Sequence, residues 1–456
     1  MNKNITIRSI RWDITDKCNL SCIHCYTLRR GSPDLDAHVV VSIIQKIMPF
    51  GLQEINFSGR EPTLHKDFLD IVKWCGEHQL KVNITTNGTA ITLRQFDKLL
   101  SFPVSMLIFS VDDSTAKIHD SIRGKGTFKK TVQAIKHCVD LSKRDLTKAR
   151  IGVSFTLQKR NHKNAGKIID LCTSLGIDLL AINPVSLCGS ASKMNRELYL
   201  PPGDILHSWD KICKRYKEVN TPFEMYLGTF PMETKLLNAR YDLDLPVIHT
   251  GCNAGSTLYI DPRGKALPCY MLPAMENVIP KMKQYIDYWD AIGEPCDQML
   301  KHFWPFIEFT RSYSQGNVIE CQDCPDISVC RRCPLIALSD PDAIYRCQLA
   351  RKKLSSIRLS ITDKTIPRVK PYITWKIEKN RLLLNVTNGD YLAQRTFELN
   401  DHAIRIWRSI TGQHSVEYIE NYLQSTMKDL SHPVITKYLT DFIEYFWKDG
   451  VLDIYG

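Results

Sequence analysis

A chain of 456 residues exceeds one ordinary domain, so two or three are expected. With 43% hydrophobic and 24% charged residues it is not a disordered chain, and no run reaches the roughly 18 apolar residues of a membrane span. The formal net charge of +11 is unevenly spread: residues 371–456 carry 9 Lys/Arg against 11 Asp/Glu, a net −2, which speaks against phosphate binding there.

The opening stretch MNKNITIRSIRWDI has neither the apolar run nor the cleavage site of an export signal, so a cytoplasmic location is expected. In that reducing compartment the 16 cysteines point to metal or iron–sulfur ligation rather than to disulfides. Strand-like SIRWDIT (9–15) comes first, followed by CNLSCIHC and the helical run VVVSIIQKIM (39–48). EINFSG (54–59), KVNITT (81–86), MLIFSVD (106–112), RIGVSFTLQ (150–158) and IDLLAIN (177–183) then alternate with runs of helical length. Six strands, each leading to a helix, imply a partial parallel α/β barrel over residues 1–220, with its chemistry at the C-terminal strand ends.

Residues 250–350 break the alternation, within a second domain expected over 221–350. A hairpin, TLYIDPRGKALPCYML, is expected around the turn DPRG, followed by ECQDCPDISVCRRCP. So many cysteines in a stretch of low apolar content imply folding around metal. Residues 351–370 hold seven basic residues and one acidic residue and read as a basic linker. The tail, 371–456, reads as strands 372–378, 382–386 and 391–399, three amphipathic helices and a closing strand, VLDIY. Asn400 or Asp401 should cap the first helix, and the whole resembles a winged helix-turn-helix.

Cys18-x3-Cys22-x2-Cys25 follows the first strand. By itself the triplet is open to a zinc site completed by His24. It also resembles the motif of the radical S-adenosylmethionine (SAM) superfamily, whose three thiolates hold a [4Fe–4S] cluster and leave one iron for SAM. That resemblance implies reductive cleavage of SAM to a 5′-deoxyadenosyl radical that abstracts hydrogen from substrate. Later strand ends agree with it in order. SGREP (58–62) resembles the GGEP motif that meets the SAM amino group, assigning Gly59 and Glu61, with Arg60 standing where relatives carry a second glycine. TTNG (85–88) follows, then FSVDD (109–113), which assigns Ser110 to SAM, and HDSIRGKGTF, which assigns Arg123 to the SAM carboxylate.

Cys252, Gly264-x4-Cys269, Cys321-x2-Cys324-x5-Cys330-x2-Cys333 and Cys347 resemble the SPASM domain of radical SAM peptide maturases. The resemblance implies two auxiliary iron–sulfur clusters of [4Fe–4S] type. Cys321, Cys324, Cys330 and Cys347 complete one, whereas Cys252, Cys269 and Cys333 leave the other a ligand short. A zinc ribbon is the alternative for this region. Cys75, Cys138, Cys172 and Cys213 fit core positions, and Cys188 is a candidate hydrogen donor on the active-site side.

The acidic tail resembles the PqqD-like recognition element that takes up the leader of a ribosomally made peptide as an added strand. Strand 391–398 and helix 434–448, through Leu439, Phe442 and Phe446, are the docking candidates. These resemblances imply a peptide maturase that forms an oxidative side-chain cross-link, supplied with electrons by a flavodoxin- or ferredoxin-type donor. No nucleic acid or membrane partner is expected. Epimerisation and sulfatase-type maturation are the alternatives within the class, and an iron–sulfur DNA-binding regulator is the alternative outside it.

Overall fold

Seven short strands run parallel in sequence order: β1 (Ser9–Trp12), β2 (Glu54–Phe57), β3 (Lys81–Thr86), β4 (Val104–Ser110), β5 (Arg150–Leu157), β6 (Leu179–Pro184) and β7 (Glu224–Leu227). Parallel neighbours need crossovers, and the intervening helices supply them. Helix Ala37–Ile47 buries Val40, Ile43, Ile44 and Ile47, one apolar stripe at helical spacing. Helix Leu93–Leu100 starts at a reciprocal capping box between Thr92 and Gln95. The alternation read from the sequence is therefore present, with β7 as a seventh parallel strand.

The computed structural model describes residues 6–27, 31–220, 222–245, 254–276, 278–314, 333, 335, 338, 342–371, 373–388 and 391–455. Among the described residues no helix is long and apolar enough to cross a membrane.

The expected hairpin is formed by β8 (Thr257–Ile260) and β9 (Lys265–Leu267). Its turn is fixed by Asp261, whose Oδ1 accepts from the backbone N–H of Arg263 at 2.9 Å and of Lys265 at 3.1 Å. β8 does not stand apart from the barrel. It pairs in parallel with β1, Ser9 opposite Thr257 and Trp12 opposite Ile260, while β10 (Trp289–Asp290) pairs with β9. The result is one sheet of ten strands in the order β10-β9-β8-β1 to β7.

The chain divides into two compact units. The first holds residues up to Gly228 together with the described parts of 252–317 and 333–343. The second holds the described parts of 229–251 and 344–456. Within the second, β12 (Ile373–Glu378), β13 (Arg381–Asn388) and β14 (Tyr391–Glu398) form an antiparallel sheet in that order. Helices Asp401–Ser409, Val416–Thr426 and His432–Lys448 follow. Asn400 caps the first of them, its Oδ1 accepting from the Ala403 N–H at 2.8 Å.

Two sequence expectations change in this unit. Residues 351–370 are folded rather than linking: helix Ala343–Ser355 runs into them, and β11 (Ile366–Val369) pairs antiparallel with β15 (Leu452–Tyr455). Apolar side chains explain it, since Leu359, Ile361 and Val369 pack on the core of the unit. Leu439 and Phe446, expected to face a ligand, are 1% and 2% exposed in that same core. Phe442 is partly buried against it.

Trp407 is the centre of this core, its ring 4.9 Å from Phe446 and 5.9 Å from Trp375. Trp407→Ala should cost about 3–5 kcal/mol within this unit. Hydrogen exchange should then quicken across helices Asp401–Ser409 and His432–Lys448 while strands β1–β6 keep their protection.

Candidate functional site

The C-terminal ends of β1 to β5 collect the motifs on one side of the first unit. Cys18, Cys22 and Cys25 lie on the loop after β1, each partly exposed and none in a disulfide. They are close enough that the Cys22 thiol feels both Cys25 and Cys18, and burial pushes it up to about 11. The loop is fastened at several points. The Ile23 N–H donates to the Ile122 carbonyl at 3.1 Å, and the Ala191 N–H to the Cys25 carbonyl at 3.2 Å. A Cβ at Gly189 would stand 1.9 Å from the Tyr26 carbonyl oxygen, so the segment after β6 lies directly on the loop.

Glu61 follows β2 and is completely buried. Its Oε1 accepts from the hydroxyls of Thr63 at 2.6 Å and Thr86 at 2.7 Å, and its Oε2 from the Asn87 N–H at 2.8 Å. Its own N–H donates to the Lys17 carbonyl at 3.1 Å. Asn87 passes the contact on, its Nδ2 donating to Asn19 Oδ1 at 2.8 Å between Cys18 and Cys22. In this arrangement Glu61 braces the ends of β2 and β3 against the cysteine loop.

Gly59 adopts φ +92°, and a Cβ there would lie 2.2 Å from the Asp13 carboxylate carbon. Glycine is required on both grounds. Ser110 ends β4, half-buried and opposite Ser154 of β5.

Arg123 is committed to protein partners. Its Nε lies 2.6 Å from Asp112 Oδ2 and its Nη1 4.0 Å from Cys22 Sγ. Asp112 is completely buried and also accepts from the Thr156 N–H at 3.0 Å. Burial alone would raise its pKa, but Arg123 and His24 outweigh that and hold the carboxyl below its usual range. His24 Nε2 faces Asp112 at 3.5 Å and Arg123 at 3.4 Å, and burial pushes its pKa down to about 4. Its Nδ1 is buried without a partner.

On the other flank Arg60 brings Nη1 to 3.9 Å from Cys25 Sγ, and its Nη2 donates to the Thr27 carbonyl at 3.1 Å. Arg60 also lines a cavity with Asp13, Thr15, Tyr26, Tyr259 and Tyr270. Asp13 is 5% exposed, one oxygen accepting from the Tyr259 hydroxyl at 3.1 Å and the other without a partner. Burial pushes its carboxyl up to about 6. Asp13, Asn19 and Asp112 escaped the sequence reading: Asp13 belongs to no ligand motif, and Asn19 and Asp112 appeared only as neighbours of the cysteines in CNLSCIHC and of Ser110 in FSVDD.

Cys252, Cys321, Cys324 and Cys330 lie outside the described residues. Cys269 and Cys333 pack on one apolar cluster that contains Cys188, and Cys347 lies in helix Ala343–Ser355. Cys188 is completely buried, its thiol pushed up to about 12 by burial. Cys75, Cys138, Cys172 and Cys213 are completely buried core residues, as expected.

This donor set fits an iron–sulfur cube. No three His, Cys, Asp or Glu side chains among the described residues surround a single ion position. A cube makes no such demand, because each thiolate takes a different iron. Two guanidinium groups beside Cys22 and Cys25 suit the negative charge of such a cluster.

Gly59→Ala should force the Asp13 carboxylate from its seat and cost about 1–3 kcal/mol, read as a lower thermal midpoint. Asp13 makes a signed pH prediction. Between about pH 4 and 6 its carboxyl is protonated when folded and ionised when unfolded, so stability falls as pH rises through that window. Asp13→Asn should therefore gain on wild type by up to about 3 kcal/mol above pH 6 and converge with it near pH 4. A constant difference across that range would contradict the assignment.

Comparison with known proteins agrees with this chemistry. Residues 12–160 match the model of the Radical SAM superfamily. The chain is 31% identical over 362 residues to the AdoMet-dependent heme synthase of Methanosarcina barkeri, covering 74% of this chain and 97% of that protein. It is 32% identical over 151 residues to the mycofactocin maturase MftC of Mycolicibacterium smegmatis, covering 33% of this chain and 38% of that one. It thus spans less than half the length of that curated relative. Among solved structures, SuiB of Streptococcus suis bound to precursor peptide SuiA shares the fold, with TM-score 0.59, 15% identity and 74% of each chain covered. Members of the superfamily use SAM and a [4Fe–4S] cluster, and the chain belongs to it: this is a radical SAM enzyme.

Proposed function

We propose that the chain is a maturase of a ribosomally made peptide, binding the leader on its second unit and modifying the core peptide in the barrel. The observation that carries this reading is β14. Among the described residues it pairs on one side only, with β13, leaving the other edge of the sheet open to an added strand. Phe397 on β14 packs against Phe446 of helix His432–Lys448 at 5.3 Å, which ties the strand to that helix. Leader capture there rests on main-chain hydrogen bonds along β14. With Leu439 and Phe446 in the core, selectivity falls to residues nearer the surface, Phe442 among them. The fold shared with SuiB and the match to MftC support a peptide substrate.

Cys18, Cys22 and Cys25 would hold the cluster, which with SAM supplies a 5′-deoxyadenosyl radical for hydrogen abstraction. The chain's own residues build the seat. Gly59 would let backbone approach the ligand, Glu61 and Asn87 fix the cysteine loop from below, and Ser110, at the end of β4, would serve as a further SAM contact. Auxiliary clusters on Cys252, Cys269 and Cys333, and on Cys321, Cys324, Cys330 and Cys347, would give electrons an exit, favouring oxidative cross-linking over epimerisation. An external flavodoxin- or ferredoxin-type donor would provide the first electron.

A second reading is favoured by a specific observation: the heme synthase relative is matched over 97% of its length. That reading assigns tetrapyrrole chemistry to the barrel and leaves the open edge of β14 without a task. One experiment separates the two. The peptide of a short reading frame adjacent to the gene, or an iron porphyrin, is incubated anaerobically with enzyme, SAM and reductant. The account expects a peptide lighter by two hydrogens and an unchanged porphyrin. A peptide of unchanged mass in ordinary water that gains one deuterium in heavy water would indicate epimerisation, and a changed porphyrin would overturn the peptide reading. Anaerobic reconstitution should load about twelve irons per chain; about four would eliminate the auxiliary clusters.

A further inference from the structure

Two guanidinium groups approach the cysteine loop, and they differ in electrical balance. Arg123, near Cys22, is paired at 2.6 Å with the ionised, completely buried carboxylate of Asp112. Seen from Cys22 the two charges largely cancel. Arg60, near Cys25, makes no ion pair among the described residues and its Nε is buried without a partner; the Asp13 carboxyl across the shared cavity acts on it only through space. Its other contact, the Thr27 carbonyl at 3.1 Å, is neutral and fixes the guanidinium in place. Arg60 thus brings a guanidinium that no ion pair among the described residues ties down to within 3.9 Å of one cysteine of the loop.

The potential of an iron–sulfur cluster depends on local net charge and on hydrogen bonds to its sulfurs. Reduction adds negative charge, so a neighbouring cation favours the reduced state, and an N–H directed at a thiolate sulfur acts in the same sense. We propose that Arg60 tunes the cluster held by Cys18, Cys22 and Cys25, raising its reduction potential above that of the same site with glycine at position 60. The chain then accepts its first electron from a weaker donor than a glycine-bearing site would need. The proposal concerns the cluster alone and does not depend on the identity of the substrate.

The test is a redox titration of the anaerobically reconstituted full chain, followed by electron paramagnetic resonance. The signal whose shape responds to added SAM identifies the cluster concerned. Wild type is compared with Arg60→Lys, Arg60→Gln and Arg60→Gly, with iron content and spin integration establishing equal loading. Arg60→Gln and Arg60→Gly should titrate at more negative potentials, and Arg60→Lys should stay near wild type. Asp112→Asn gives the sign check, since unmasking Arg123 should move the potential in the positive direction. A wild-type potential in Arg60→Gln, or an equal shift in Arg60→Lys, would overturn the proposal. So would failure of all three variants to load the cluster, which would assign Arg60 to assembly instead.

Discussion

The ion pair between Asp112 and Arg123 is the constraint from which the rest of the site is arranged. Asp112 is completely buried at the end of β4, and one of its oxygens is taken by the Thr156 N–H of β5. The other meets Arg123, which reaches past it to Cys22, while His24 closes the same group from within the cysteine loop. One carboxylate therefore ties together two strands, the helix Ala116–Arg123 and the loop that carries the thiols. A buried charge without its partner costs roughly 3–5 kcal/mol, so the loop and the strand ends are held to a single arrangement.

From this anchor the logic of the parallel sheet follows. Its strands deliver the Cys18–Cys25 loop, Gly59 with Glu61, Asn87 and Asp112 to the same edge, where loops are free to carry chemistry. A second chain of polar contacts, Glu61 to Thr86 and Asn87 and on to Asn19, supports the loop from the β2 and β3 side. The parallel pairing of β8 with β1 sets Tyr259 against Asp13 and adds a wall to the cavity beside Arg60. The hairpin among the later cysteines is thus part of the sheet that carries the front motif.

Local patterns were legible in the sequence because they depend on neighbours within a few residues. The cysteine triplet, the strand alternation, the Asn400 cap and the DPRG turn are of that kind. What was not legible depends on partners far along the chain. Nothing near Arg123 announces that Asp112 will claim it, and nothing near Glu61 announces that Thr86 and Asn87 will enclose it. Leu439 and Phe446 show the same limit. An amphipathic helix has an apolar face, but only the packed core decides whether that face meets a ligand or Trp407. Residues 351–370 looked like a linker by charge, whereas their sparse apolar positions were enough to seat β11 beside β15.

The central claim is that three cysteines of one loop hold a cluster that cleaves SAM. Its most direct measurement is chromatographic quantification of 5′-deoxyadenosine from SAM under anaerobic reduction, comparing the reconstituted chain with its Cys25→Ala variant. The account predicts 5′-deoxyadenosine from the wild-type chain and none from the variant. Equal amounts from both, or none from a fully iron-loaded wild type, would contradict it.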